Sequence, residues 1–216
     1  MPGLRHVSLV PLVCVLLLVG ALPQAQAAQR LLPETVTVHD TRSSAPIVDI
    51  AEVRVDASWY WDSEQSVRVK VPHGYQAGHR LTIWFDLNGD STPDGHYQLD
   101  LRKPKHAGGK SLQKSQEFRR GGGFGHGGTK AACGGSEGGP PLLDQIRRGQ
   151  RSLSIHLDLW WCLGVANPPD LESGSWRVAV SLVKGKNEDM APNHHGWSPP
   201  VAGWGPCDPS GGPCPS

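Results

Sequence analysis

Apart from one run near its start, the sequence lacks any apolar stretch approaching the roughly 20 residues that cross a bilayer. It also lacks a C-x-x-C pair, an amphipathic pattern long enough for a substantial helix, and an excess of charge of either sign. Each absence removes a class of protein. A membrane bundle, a cysteine-held zinc module and a helical fold are all disfavoured. The one apolar run, Val7 to Leu22, follows Arg5 and His6 and precedes Ala25-Gln26-Ala27. A charged start, an apolar middle and a small-residue cleavage site are the features of a secretory signal. Pro11 and Gly20 interrupt the run, and no basic stop-transfer cluster follows it. Residues 1–27 are therefore predicted to be a signal, with the mature chain beginning near Ala28. The expectation is a secreted, extracellular protein with no stable membrane insertion.

Removing Arg5 with the signal leaves 20 basic residues facing 20 acidic ones. Binding to nucleic acid or to an anionic membrane rests on a basic excess, so neither is expected as the main partner. Cys14 also leaves with the signal, and Cys133, Cys162, Cys207 and Cys214 remain. Four cysteines in an oxidising compartment suggest two disulfides with three possible pairings. Cys133 ends a glycine-rich stretch and Cys162 ends an apolar strand pattern, so a Cys133–Cys162 bond would pin that stretch to the sheet. Cys207–Cys214 would then close a small C-terminal loop.

What is present is alternation. Ile50 to Val55, then Val67, Val69 and Val71, then Leu81, Ile83 and Phe85, then Tyr97, Leu99 and Leu101 recur every second residue. That period belongs to strands with one face on a core and the other in water. Leu153, Ile155, Leu157, Leu159 and Trp161 repeat it, as do Trp176, Val178, Val180 and Leu182. Val36-Thr37-Val38 reads as a short edge strand, and residues 140–148 as a short helical turn. An all-β fold is predicted, a single jelly-roll-like sandwich over residues 47–186, preceded by an N-terminal segment at 28–46. Within it, residues 102–139 contain GGGFGHGG and CGGSEGG. So much glycine predicts a mobile insertion. The proline- and glycine-rich residues 187–216 read as a tail.

The run from Leu81 to Leu101, LTIWFDLNGDSTPDGHYQLDL, reads as a hairpin with an acidic tip. Asp86, Asn88 and Asp90 fall at positions one, three and five of the calcium-loop pattern D-x-[DN]-x-[DN]-G. Ser91 then replaces the glycine, Tyr97 stands where the bidentate glutamate belongs, and strands flank the loop. Those departures argue against an EF-hand. With Asp94, the set Asp86, Asn88, Asp90 and Asp94 still offers several oxygens to a weakly held calcium that would stiffen the turn. The competing reading is a plain turn, since turns are made of the same residues.

Eight tryptophans are many for this length. Trp84 lies on the face opposite Leu81, Ile83 and Phe85. Facing solvent, Trp84, Trp160 or the pair Trp59 and Trp61 could form an aromatic platform for sugar rings; otherwise they cover the core. Gly134-Gly135-Ser136-Glu137-Gly138 fits G-x-S-x-G without the strand and helix that a nucleophile elbow needs. The match of residues 123–128 to G-x-G-x-x-G lacks the strand-to-helix setting that binds dinucleotides. His194-His195 lies in a loop-like stretch. A hydrolase would have to assemble its acid and base from Asp86, Asp94, His96 or Asp158 by tertiary proximity.

The order VTVHD, IVDIAEVRV, SVRVKV, LTIWFDLNGDSTPDGHYQL, LDLWWCLG, SWRVAVSLV and DMAPNHHGWSPPV resembles a group of uncharacterised secreted actinobacterial proteins. More distantly it resembles the sandwiches of family 9 carbohydrate-binding modules. The resemblance implies a jelly-roll-like sandwich and a ligand such as an extracellular polysaccharide or a component of the cell envelope. The expected function is a secreted, non-catalytic binding or structural module braced by calcium, with a secreted hydrolase as the alternative.

Overall fold

Strands form where valine, leucine and isoleucine alternate with polar residues, because the pleat sends successive side chains to opposite faces. The computed structural model describes residues 33, 35–41, 45–57, 65–125, 127–133, 143, 145–157, 159–163, 175–193 and 196–202. Two antiparallel sheets form a β-sandwich. The smaller takes β1 (Thr35–His39), β2 (Glu52–Asp56), β3 (Gln65–Lys70) and β8 (Ser152–Leu157), in the order β1-β2-β3-β8. The larger contains β4 (His79–Asp86), β5 (Gly95–Arg102), β6 (Gln113–Arg120), β7 (Thr129–Ala131), β9 (Ser175–Lys184) and β10 (Asn187–Ala191). Their order is β10-β9-β4-β5-β6-β7, and β11 (Val201–Ala202) pairs with β9 beyond the end of β10. The chain crosses from β3 to β4 and again from β8 to β9, with β8 antiparallel to β3 and β9 antiparallel to β4. Two crossovers lying side by side are the wrapped ribbon of a jelly roll.

A single apolar core lies between the sheets. The smaller sheet contributes Val53, Val55, Val67, Val69, Ile155 and Leu157. Leu81, Ile83, Phe85, Leu99, Val178 and Val180 meet them from the larger one. Register explains the match: Ile83 stands between Tyr97 and Val180 and Leu81 between Leu99 and Leu182, so core residues of β4 meet core residues on both sides, while Phe85 faces Val178 and the side-chain-free Gly95.

Four expectations are corrected. Residues 102–139 are not simply a mobile insertion, because β6 and β7 extend the larger sheet and Phe118 enters the core. The glycines between them make a tight connection. A Cβ on Gly122, whose φ is +92°, would come within 2.5 Å of the Gly127 carbonyl. Second, the strand read through Trp161 ends at Leu157, and Leu159–Leu163 is a short helix, α1. Leu159 and Cys162 are buried, with Leu163 packed beside them, which is the i, i+3, i+4 spacing of a helix rather than a strand. Third, residues 145–148 form no helical turn: Ser111 bridges antiparallel to Arg147, and the Leu112 amide donates to the Ile146 carbonyl at 2.8 Å. Finally, residues read as a tail supply paired strands of the larger sheet, β10 and β11, whereas the edge strand expected at Val36–Val38 forms as β1 at the edge of the smaller sheet.

Cys133 and Cys162 form a disulfide. It ties the chain beyond β7 to α1, the element that follows β8 of the opposite sheet. A closed loop of 29 residues constrains the unfolded chain by about 3.5 kcal/mol in the chain-entropy model. The signal region and Cys207–Cys214 lie outside the described residues. No helix among the described residues is long and apolar enough to cross a membrane.

Candidate functional site

The acidic tip joins β4 to β5, and its carboxylates are directed to the turn itself. Asp86 Oδ1 accepts from the Gly89 amide at 2.7 Å and its Oδ2 from the Ser91 amide at 3.1 Å. Asn88 Oδ1 accepts from the Asp90 amide, Asp90 Oδ1 from the Thr92 amide, and Asp94 Oδ2 from the Leu87 amide at 2.7 Å. These are the local bonds by which Asx residues shape turns. They let Gly89 and Ser91 take positive φ, 76° and 69°. Asp86 is fully buried and ion-paired with Arg177, the residue opposite it on β9. Among the described residues no group of three or more His, Cys, Asp or Glu side chains converges to hold a metal ion. The four sequence-predicted ligands are thus brought into one turn, with one positive charge already supplied by Arg177. Burial raises the Asp94 carboxyl above the usual carboxylate range, and the charges of Asp86 and Asp90 add to the shift against the Leu87 amide.

The ion pair leads to the outer face of the larger sheet. Arg80, Thr82, Trp84 and Asp86 occupy the side of β4 turned away from the core, beside Gln98 and His96 of β5 and Ser181 and Arg177 of β9. This face is buried: Thr82 and His96 are 0 % exposed and Trp84 3 %. Of the two readings open for Trp84, a solvent-facing platform or a packed aromatic, the structure shows the packed one. Phe124, from the glycine-rich connection, lies over Trp84 with ring centroids 5.4 Å apart and planes tilted by 58°. Trp197 follows at 5.2 Å from Phe124, the Arg177 guanidinium lies 5.6 Å over the Trp197 ring, and the Trp197 indole N–H donates to the Ser91 carbonyl at 3.3 Å. Each of these geometries falls in the attractive range for aromatic and cation–π contacts.

Phe124 and Trp197 are themselves only half-buried. They present aromatic surface to solvent above a polar layer in which Thr82 Oγ1, Trp84 Nε1 and Arg177 Nε have no hydrogen-bond partner among the described residues. Buried polar atoms are nearly always bonded, so three donors on one face mark it as chemically unfinished. The arrangement can take the apolar face of a ligand by stacking on the two half-exposed rings.

Of the other sequence-predicted residues, Trp59 and Trp61, the side chain of Trp160, and Asp158 lie outside the described residues. So do Ser136, His126, His194 and His195. Asp86 and Asp94 are each bonded to backbone amides, and no carboxylate pair is directed into a cleft among the described residues. Phe124 and Trp197 escaped the sequence reading. The signal for Phe124 was a lone aromatic inside a glycine run. Comparison with known protein families, with characterised proteins and with solved structures finds no match to this chain.

Proposed function

We propose that the protein is a secreted, non-catalytic binding module that holds a carbohydrate of an extracellular polysaccharide or of the cell envelope on the outer face of its larger sheet. The observation that carries this reading is the half-buried Phe124–Trp197 pair stacked over Trp84 and flanked by Arg177 and Asp86. A sugar ring has an apolar face that stacks on aromatic rings and hydroxyls that need donors and acceptors, and few pockets require more than a small number of placed polar groups. The distant resemblance to family 9 carbohydrate-binding modules agrees with it, and the Cys133–Cys162 disulfide is compatible with an oxidising compartment.

A screen of glycans and cell-wall polymers should return a ligand whose affinity falls by about tenfold in Trp197→Ala and in Phe124→Ala, the loss expected of an aromatic hot spot. Arg68→Ala, on the outer face of the smaller sheet, should leave it unchanged. Absence of any ligand, or one indifferent to both aromatic changes, overturns the reading.

Calcium at the acidic turn is a separate part of the proposal. Its support is the gathering of Asp86, Asn88, Asp90 and Asp94 in one turn, where a divalent cation would relieve the mutual repulsion of the three carboxylates. Millimolar calcium should then raise the thermal midpoint relative to chelator. Coincident curves remove calcium and leave the sugar reading intact.

A further inference from the structure

A chain with balanced charge can still be electrically divided, and this one is. The strands of the larger sheet run between two ends: β4 arrives at the acidic turn, and β5 returns from it over eight residues to Arg102, roughly 24 Å away. At that far end two segments meet. The Leu112 amide donates to the Ile146 carbonyl at 2.8 Å and the Arg148 amide to the Lys110 carbonyl at 2.8 Å, on either side of the Ser111–Arg147 bridge. Leu112 and Ile146 are buried and pin the pair to the core. Everything basic between them stays outside. Residues 102–114 and 145–151 carry eight lysines and arginines and no aspartate or glutamate. Lys103, Lys105, Lys110, Arg147 and Arg148 are exposed and form no ion pair among the described residues. The loop also borders a recess of about 350 Å³ with Pro104 and Leu112 in its lining and Lys105, His106, Lys110 and Gln113 around them.

We infer that this end of the sandwich is a docking surface for an anionic polysaccharide, a hydrated glycan chain carrying repeated carboxylate groups. Charge complementarity selects a polyanion, because concentrated like charge raises the local concentration of the opposite sign. The side-chain inventory selects the kind. A membrane-surface site places apolar side chains in the lipid boundary, and here Leu112 and Ile146 are buried. A single-stranded nucleic acid site supplies aromatic platforms for bases, and neither segment contains a phenylalanine, tyrosine or tryptophan. Flexible lysines along an exposed loop can follow a repeating, well-hydrated charge without either device. The surface is remote from Phe124 and Trp197 and stands whether or not those rings bind a sugar.

The test measures binding of the purified protein to polygalacturonate, with neutral dextran, vesicles containing anionic phospholipid, and single-stranded DNA as the comparison ligands. Polygalacturonate should bind, dextran should not bind at this surface, and the affinity should fall by about tenfold or more as salt is raised from about 50 to 200 mM, as expected when several counterions are released. The charge-reversed variant Lys103→Glu/Lys105→Glu/Lys110→Glu should lose at least about tenfold with an unchanged thermal midpoint. Arg147→Glu/Arg148→Glu should repeat the loss from the other segment, which decides the matter if the first variant folds poorly. No binding to polygalacturonate, equal binding by both variants, or tighter binding to vesicles or DNA than to the glycan overturns the inference.

Discussion

The two sheets turn unlike outer faces to their surroundings. On the smaller sheet Arg54, Arg68 and Ser154 form one cross-strand row and Ser66 and His156 another, polar throughout and in contact with water. On the larger sheet the corresponding rows hold Trp84 beside His96, and Thr82 between Gln98 and Ser181, all buried. A two-layer sandwich has one core to fill, the space between its sheets. An outer face this deeply buried therefore needs a second cover, and over Trp84 it comes from Phe124, with Trp197 packed against Phe124. Alternation says on which side of a strand a residue lies. It is silent about what that side meets.

The largest test of this contrast is Trp84→Ala. Removing a buried tryptophan from a packed layer should reduce stability by about 3–5 kcal/mol, whereas Arg68→Ala or His156→Ala should stay within about 0.5 kcal/mol. Urea unfolding of the three variants decides it, and a Trp84→Ala change below about 1 kcal/mol would mean the larger sheet's outer face is not a second packed layer. Next in size is the ion pair. Arg177→Ala leaves the fully buried Asp86 carboxylate with backbone donors only, at a loss of about 3 kcal/mol. Arg54→Ala breaks the pair with Asp56 on the smaller sheet, where both groups reach solvent, and should be worth less than about 1 kcal/mol. Equal effects would show that burial does not distinguish the two faces.

Most of the inner architecture was legible because one physical rule generated it. The apolar positions of β2, β3, β4, β5, β8 and β9 alternate, and each of those stretches is a strand. The hairpin from Leu81 to Leu101 follows from a turn composition between two such runs. The Cys133–Cys162 pairing followed from where each cysteine sits relative to its strand or loop. Trp84 was placed on the correct side of β4 with its surroundings left open, because its cover comes from Phe124, forty residues away in a glycine run, against which Trp197 from beyond β10 lies. Polar β6 shows no alternation, since as QKSQEFRR it puts Phe118 alone deep in the core. β10 is likewise hidden, because its inward Asp189 is a buried carboxylate accepting from the Ile50 amide at 2.8 Å. The basic end was masked by arithmetic, because a balanced net charge over the whole chain hides a local excess of lysine and arginine.

Smaller still is the pH dependence at the rim, which belongs to neither outer face and so shows what burial does where the sheets meet. Asp40 follows β1, and burial, then the charge of Asp189 and more weakly that of Asp49, raise its carboxyl from 3.8 to about 6 against the Thr41 amide. A carboxyl raised in the folded state contributes stability that is complete below pH 3.8 and lost as pH rises through about 6. His79 acts in the opposite sense. Burial, then the neighbouring Lys184, depress its imidazole from 6.5 to about 4, so its contribution is complete above pH 6.5 and lost as pH falls through about 4. Between these limits the two slopes oppose each other. Asp40→Asn keeps an oxygen for the Asn193 amide, which donates to Asp40 Oδ1 at 2.8 Å, and removes only the acid slope. The variant should be more stable than the natural protein above pH 6, and that advantage should shrink steadily as pH falls towards 4. Urea midpoints of both proteins at intervals across this range measure the difference directly. A constant offset would mean that Asp40 does not titrate differently in the folded and unfolded chains, and that the crowding of Asp40 by Asp189 and Asp49 has no energetic consequence.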